Sequence, residues 1–150
     1  MGYMYLFKLL KIRIFSARHL KVKILRPFVF HIKNLFIQDD KGKRQYLVVM
    51  PGLKKLDLKT LAADLGEKKV RFCSAEKVEK MLGVKPGSVS IFCCLNPNSH
   101  HVKVVVDKDL LEEKELGFHP IVNTSTVFID TGDIHKIIDA IEQGVLYTKL

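Results

Sequence analysis

The chain has 150 residues, of which 47% are hydrophobic and 27% charged, and its formal net charge is +9. That length suits one domain able to bury a core without disulfide or metal support, and the composition excludes collagen-like and low-complexity chains. The charge is uneven: residues 1–38 carry Lys8, Lys11, Arg13, Arg18, Lys21, Lys23, Arg26 and Lys33 and no acid, while the remainder is nearly balanced.

A basic excess favours a polyanionic partner such as RNA. An acid-free amphipathic leader also resembles an organelle-targeting segment, although this one is poor in serine. No uncharged apolar run approaches the ~20 residues of a spanning helix, so no membrane partner is expected. Cys73, Cys93 and Cys94 are odd in number and two are adjacent. They fit a reducing, cytoplasmic compartment better than a disulfide framework or a zinc site, and Cys93–Cys94 reads as buried apolar filler.

Residues 1–30 form an atypical basic N-terminal segment in which only His19–Leu25, with period-two alternation, reads as a strand. The domain proper is expected over 31–150. Lys33–Gln38 and Arg44–Met50 read as strands joined by the turn Asp39-Asp40-Lys41-Gly42, a β-hairpin closed by Pro51-Gly52. Asp57 caps a helix with Leu58, Leu61, Ala62 and Leu65 on one face and Gly66 as its stop. Val70–Cys73 is a short strand. Ser74 caps a second helix with Val78, Met81 and Leu82 inward and Gly83 as its stop, and Lys85-Pro86-Gly87 is a turn.

Val89–Leu95 is apolar and expected as a buried strand, broken by Asn96-Pro97-Asn98. Val102–Val106 is a strand and Asp107–Glu115 a turn or short helix. Thr124–Ile129 is a strand. A last helix begins near Thr131 or Asp133 with Ile134, Ile137, Ile138 and Ile141 at helical spacing, and Val145–Lys149 adds an edge strand. Short strands mixed with three helices predict an α+β fold, a mixed, curled β-sheet with packed helices. No G-x-G-x-x-G or P-loop is present, so no nucleotide cofactor is implied.

The residues able to do chemistry each have a plain structural alternative. His119 sits in G-F-H-P, where Pro120 restricts its backbone; it either faces a cleft or bonds a carbonyl structurally. Lys33, between apolar neighbours, either aims a charge at a phosphate or oxyanion or snorkels from a sheet edge. Asn34 offers a donor and an acceptor. Asn123, Thr124 and Thr126 suit the grip of a ribose or an α-amino group, or are simply a strand start. The clusters Lys41–Arg44 and Lys54–Lys55 read as solvated faces, with phosphate contact as the alternative. His100-His101 lacks further ligands at metal spacing, so no metal is expected.

Five segments taken in order narrow the field: HIKNLFIQDDKGKRQYLVVMPG, LDLKTLAADLG, VRFCSAEKVEKMLGVKPGSVS, VVVDKDLL and GFHPIVNTSTVFI. Together they resemble the YbaK/prolyl-tRNA-synthetase-associated domain family, and GFHP…NT.T is most similar to its ProX branch. The resemblance covers 31–150. It implies an aminoacyl-tRNA hydrolase that edits mischarged tRNA(Pro) in trans, most directly Ala-tRNA(Pro), with tRNA and prolyl-tRNA synthetase as partners and no cofactor.

It also implies that Lys33, Asn34 and His119 are the catalytic set, with Gly117, Phe118, Asn123, Thr124 and Thr126 binding substrate. The chain departs from the family at residues 1–30, at Ile32 in place of threonine, and at Ser90-Ile91-Phe92-Cys93-Cys94 in place of S-P-F-G-L. The alternative is a catalytically weak module that binds tRNA or a synthetase.

Overall fold

The computed structural model describes residues 23–24, 32–119, 127–141 and 143–150. Its centre is the predicted hairpin. Strand β2 (Ile32–Asp39) runs antiparallel to β3 (Gln45–Pro51), with Asn34 opposite Val49 and Phe36 opposite Leu47. The turn between them is held by Asp39, whose Oδ1 accepts from the backbone N–H of Lys43 (2.6 Å) and of Arg44 (2.8 Å). Gly42 closes it at φ 68°, a conformation that favours glycine.

Strand β4 (Val70–Phe72) pairs antiparallel with the far end of β2. On the other side, β5 (Lys103–Asp107) lies parallel to β3, and β8 (Val145–Thr148) lies parallel to β5 at the edge. The five-stranded order is β4-β2-β3-β5-β8, a mixed sheet as expected from hairpins combined with crossovers. A second, three-stranded sheet has the order β1-β7-β6, made by β1 (Lys23–Ile24), β6 (Glu115–Phe118) and β7 (Val127–Asp130).

The helices follow the capping signals. Helix α1 (Leu58–Asp64) starts where Asp57 accepts from the N–H of Lys59, at 2.8 Å. Helix α2 (Ala75–Leu82) starts at Ser74 and ends on Gly83 in the left-handed region. Helix α3 (Ile134–Ala140) carries the isoleucine stripe, with Ile134 and Ile137 buried.

The two faces of the large sheet are covered by different elements. Ile37, Tyr46, Val48, Met50 and Val105 pack with Leu61 and Ala62 of α1. Ile32, Phe36, Leu47, Val49, Val104 and Val106 pack with α2, α3, the small sheet and the segment 89–95. With both faces covered, β3 reads as a continuous buried run from Gln45 to Met50 rather than an alternating one.

Two expectations fail. Val89–Leu95 is buried, but Ile91–Leu95 is a 3-10 helix and not a strand. The N–H of Cys93 bonds the Ser90 carbonyl at 2.9 Å, and the N–H of Ser90 reaches Cys93 Sγ at 3.4 Å, so the segment satisfies its backbone locally. An unbroken apolar run has no period with which to distinguish the two conformations. Strand β6 was not anticipated, because its four residues lie inside a stretch read as acidic turn and loop. The strand proposed over 19–25 is described only at β1; its other residues, like 124–126 of the strand placed before Ile129, lie outside the described residues.

Cys93 and Cys94 are buried, as filler should be, and burial pushes the Cys93 thiol up to about 11 and that of Cys94 higher still. They are therefore protonated and unreactive at neutral pH.

Two outcomes are expected from this packing. Leu61→Ala, at a fully buried position on the inner face of α1, should cost about 2–5 kcal/mol in urea unfolding. Leu53→Ala, at a fully exposed position, should stay within about 0.5 kcal/mol of the parent. The Asp39 carboxyl is held below its ordinary value, chiefly by the Arg44 amide. Its stabilisation is complete above the unfolded-state pKa, near 4, and is lost as pH falls through the lower folded value. An acid titration of Asp39→Asn should therefore show a shallower loss of stability below about pH 4 than the parent shows.

Candidate functional site

Lys33 and Asn34 are adjacent in β2, so the alternation of a strand sends them to opposite faces. Lys33 lies on the α1 side with Leu35 and Ile37, and Asn34 on the other side between Ile32 and Phe36. They nonetheless share one edge. Strand β4 covers β2 only at Ile37, Gln38 and Asp39. Beside Ile32–Leu35, β2 has a strand partner on its β3 side alone among the described residues. A group lying along that open edge is within reach of both faces.

Lys33 is half-buried, and its ammonium donates to the backbone carbonyl of Lys54 in the loop after β3. That loop is fixed by the Lys54 side chain, whose Nζ lies 2.8 Å from Asp107 Oδ2 and 2.7 Å from Asp109 Oδ2. The two carboxylates raise the Lys54 pKa against the opposing effect of desolvation, and Lys54 in turn lowers that of Asp109. None of the ion pairs among the described residues involves Lys33. Its charge is positioned by a neutral oxygen, with no acidic partner among the described residues.

Asn34 Oδ1 is buried and has no hydrogen-bond partner among the described residues. An unsatisfied buried acceptor costs about 1–3 kcal/mol, and a substrate N–H or O–H would remove that cost.

On the Ile32 and Phe36 side of β2 lies β6, which contacts β2 and shares that core. Gly117 and Phe118 are buried on it and His119 follows, half-buried, at its end. The Phe118 ring meets Phe92 edge-on, with centroids 5.9 Å apart and planes at 67°. This contact joins G-F-H-P to the altered Ser90–Cys94 segment. The structure thus brings Asn34, Gly117, Phe118 and His119 to one side of the large sheet and places Lys33 on the other face of the same edge. Asn123, Thr124 and Thr126 lie outside the described residues.

Lys54 was read from sequence as part of a solvated face. Instead it is the half-buried partner of a fully buried aspartate and the support for Lys33, while Lys55 is exposed. The available signal was Asp107 closing the run Val104-Val105-Val106, since a carboxylate at the end of a buried strand needs a cation. His100 and His101 stack edge-to-face with centroids 5.4 Å apart. His100 Nδ1 lies 2.6 Å from the Pro97 carbonyl oxygen. No group of three or more potential metal ligands occurs among the described residues.

Residues 17–137 match the profile of a family described as an aminoacyl-tRNA editing domain; the match begins within the basic N-terminal segment. Among curated proteins, the prolyl-tRNA editing protein ProX of Acetoanaerobium sticklandii is 40% identical over 109 residues, covering 73% of this chain and 66% of its own length. Prolyl-tRNA synthetase associated domain-containing protein 1 of Mus musculus is 31% identical over 110 residues, covering 69% of this chain and 63% of its own. The chain thus spans just under two thirds of these relatives' lengths. A crystal structure of a candidate trans-editing enzyme for prolyl tRNA synthetase superposes with a TM-score of 0.67 at 18% identity, covering 95% of this chain and 96% of that one. At that identity the likeness concerns the fold.

Asp107→Ala should destabilise the protein by roughly 1.5–3 kcal/mol in urea unfolding, because a hydrogen-bonded charge loses its buried partner. Asp109→Ala, at the more exposed partner of Lys54, should have a smaller effect in the same assay.

Proposed function

Because the chain belongs to the aminoacyl-tRNA editing domain family, we propose that it is a trans-acting deacylase of mischarged tRNA(Pro), with Ala-tRNA(Pro) as its main substrate. The reading rests on the edge of β2 at Lys33 and Asn34, where, among the described residues, the lysine has no acidic partner and the buried asparagine oxygen has no donor. The 40% identity to an editing protein supports the substrate class.

An aminoacyl ester is intrinsically labile, so the protein's task is to hold it and stabilise the charge that develops during attack. In this mechanism the ester lies along the β2 edge. Water, positioned by the neighbouring ribose hydroxyl, adds to the carbonyl carbon, and Lys33 faces the oxyanion or the terminal phosphate. Asn34 Oδ1 accepts from the substrate's α-amino group. The C–O bond to the ribose breaks and the ribose oxygen takes up the proton.

Gly117 and Phe118 wall the pocket, His119 shapes it and bonds substrate, and Asn123, Thr124 and Thr126 bind the remaining polar groups. Proline is excluded by size; discrimination by the methylenes that alanine lacks would give only about 1–3 kcal/mol. The enzyme acts in the cytoplasm beside prolyl-tRNA synthetase. No described helix is long and apolar enough to cross a membrane.

Deacylation of Ala-tRNA(Pro), Cys-tRNA(Pro) and Pro-tRNA(Pro) by the purified chain tests the proposal. The alanyl ester should be cleaved fastest and the prolyl ester spared. Lys33→Ala should lower kcat by roughly 100-fold or more, as removal of an oxyanion partner does, and Asn34→Ala should weaken substrate binding. Wild-type turnover at the spontaneous rate would sink the hydrolase reading and leave a tRNA- or synthetase-binding module.

A further inference from the structure

At the end of β2 remote from Lys33, three elements meet around an open cleft of about 870 Å³. The hairpin turn contributes Gly42 and Lys43, helix α2 contributes Lys77 and Lys80, and the loop before β5 contributes His100 and His101. Glu76 is the one acid among the lining residues. None of the ion pairs among the described residues includes Lys43, Lys77 or Lys80.

Lys77 is held in place by neutral oxygens. Its Nζ donates to Gln38 Oε1 at 2.6 Å and to the Gly42 carbonyl at 2.8 Å. Gln45 Nε2 donates to the same carbonyl at 2.8 Å. A side chain at position 42 would crowd this arrangement, since a Cβ there would lie 3.3 Å from Gln38 Oε1 and 3.4 Å from Lys77 Nζ, on a backbone with φ +68°. The turn therefore fixes an ammonium at the cleft without cancelling its charge.

We propose that this cleft is a second binding site, for the phosphodiester backbone of RNA, distinct from the site at the β2 edge. The proposal rests on the tRNA reading above and deepens it. The cleft is concave and basic, and Ser74, Asn98 and Gln45 add neutral hydrogen-bonding groups. Such a lining suits phosphate oxygens, which are contacted without regard to base sequence. A protein partner would call for apolar or aromatic anchors, and Met81 is the one large apolar side chain lining the cleft. Gln38 lies five steps along β2 from Lys33, roughly 17 Å at strand rise. The two sites therefore engage different parts of one RNA, the acylated end at the start of β2 and backbone phosphates at the hairpin turn.

The test measures binding of uncharged tRNA across a salt series, so it does not depend on hydrolysis. Lys43→Glu/Lys80→Glu alters two exposed side chains and spares Lys77, which also serves the fold. Lys59→Glu/Lys68→Glu, on the α1 face, makes the same change of charge elsewhere. Lys43→Gln/Lys80→Gln removes charge without reversing it, and a thermal melt confirms that each variant is folded.

The cleft variants should raise Kd about tenfold or more and reduce the slope of log K against log salt by about 2, one for each phosphate that a lysine no longer neutralises. The α1-face control should stay near the parent. Equal affinity and slope for cleft and control variants overturns the proposal and returns the cleft to an acidic protein partner, and so does a wild-type chain that binds no tRNA at low salt. Loss of binding in the cleft variants alongside absent deacylation would support the RNA site and refute the hydrolase reading, so the two failures are distinguishable.

Discussion

The structure depends on the burial of β3 from both sides. Each residue from Gln45 to Met50 is inaccessible, so neither face of the central sheet can be left open. Helix α1 closes one face, and α2, α3, the 3-10 segment and the small sheet close the other. The pairing follows from this. Antiparallel β2 is connected by a tight turn, whereas parallel β5 requires a crossover long enough to hold α1, β4 and α2. The segments that carry G-F-H-P are brought against β2 because Leu116 and Phe118 belong to the same core as Phe36 and Val49.

The same constraint explains the electrostatics beside the site. Strand β5 enters the core through Val104, Val105 and Val106 and ends on Asp107, whose side chain has no solvent contact. A carboxylate there requires a cation, and Lys54 supplies it from the loop after β3. The loop is thereby pinned, and its carbonyl at Lys54 becomes a fixed acceptor for Lys33. An ion pair that completes the end of a buried strand thus also fixes the position of the lysine assigned to the substrate.

Where the sequence carried a local signal, it could be read. Asp57, Ser74 and Gly83 marked helix ends by cap chemistry, and Asp39-Asp40-Lys41-Gly42 marked the hairpin; these depend on near neighbours and little else. The isoleucine stripe of α3 was legible because its period is. Ile91–Leu95 was not, since five apolar residues in a row bury equally well as strand or 3-10 helix, and Ser90 and Cys93 settle the matter through contacts that no period encodes. Strand β6 was obscured because its identity comes from pairing with β7, a partner that lies beyond residues 119–126 in the chain.

The site was legible in a different way. No single residue distinguished itself from a structural role, and only the ordered motifs nominated Lys33, Asn34 and His119 for the proposed site. What the motifs could not supply was the face each residue occupies. Adjacent residues in a strand diverge, so a Lys-Asn pair can act on one group only where the strand has an open edge. Strand β4 is short: its pairing stops at Ile37, and among the described residues no strand pairs with Ile32–Leu35 on that side. A longer β4 would pair that edge and separate the two side chains by a continuous sheet. The length of an otherwise ordinary edge strand therefore decides whether the pair can serve a common substrate.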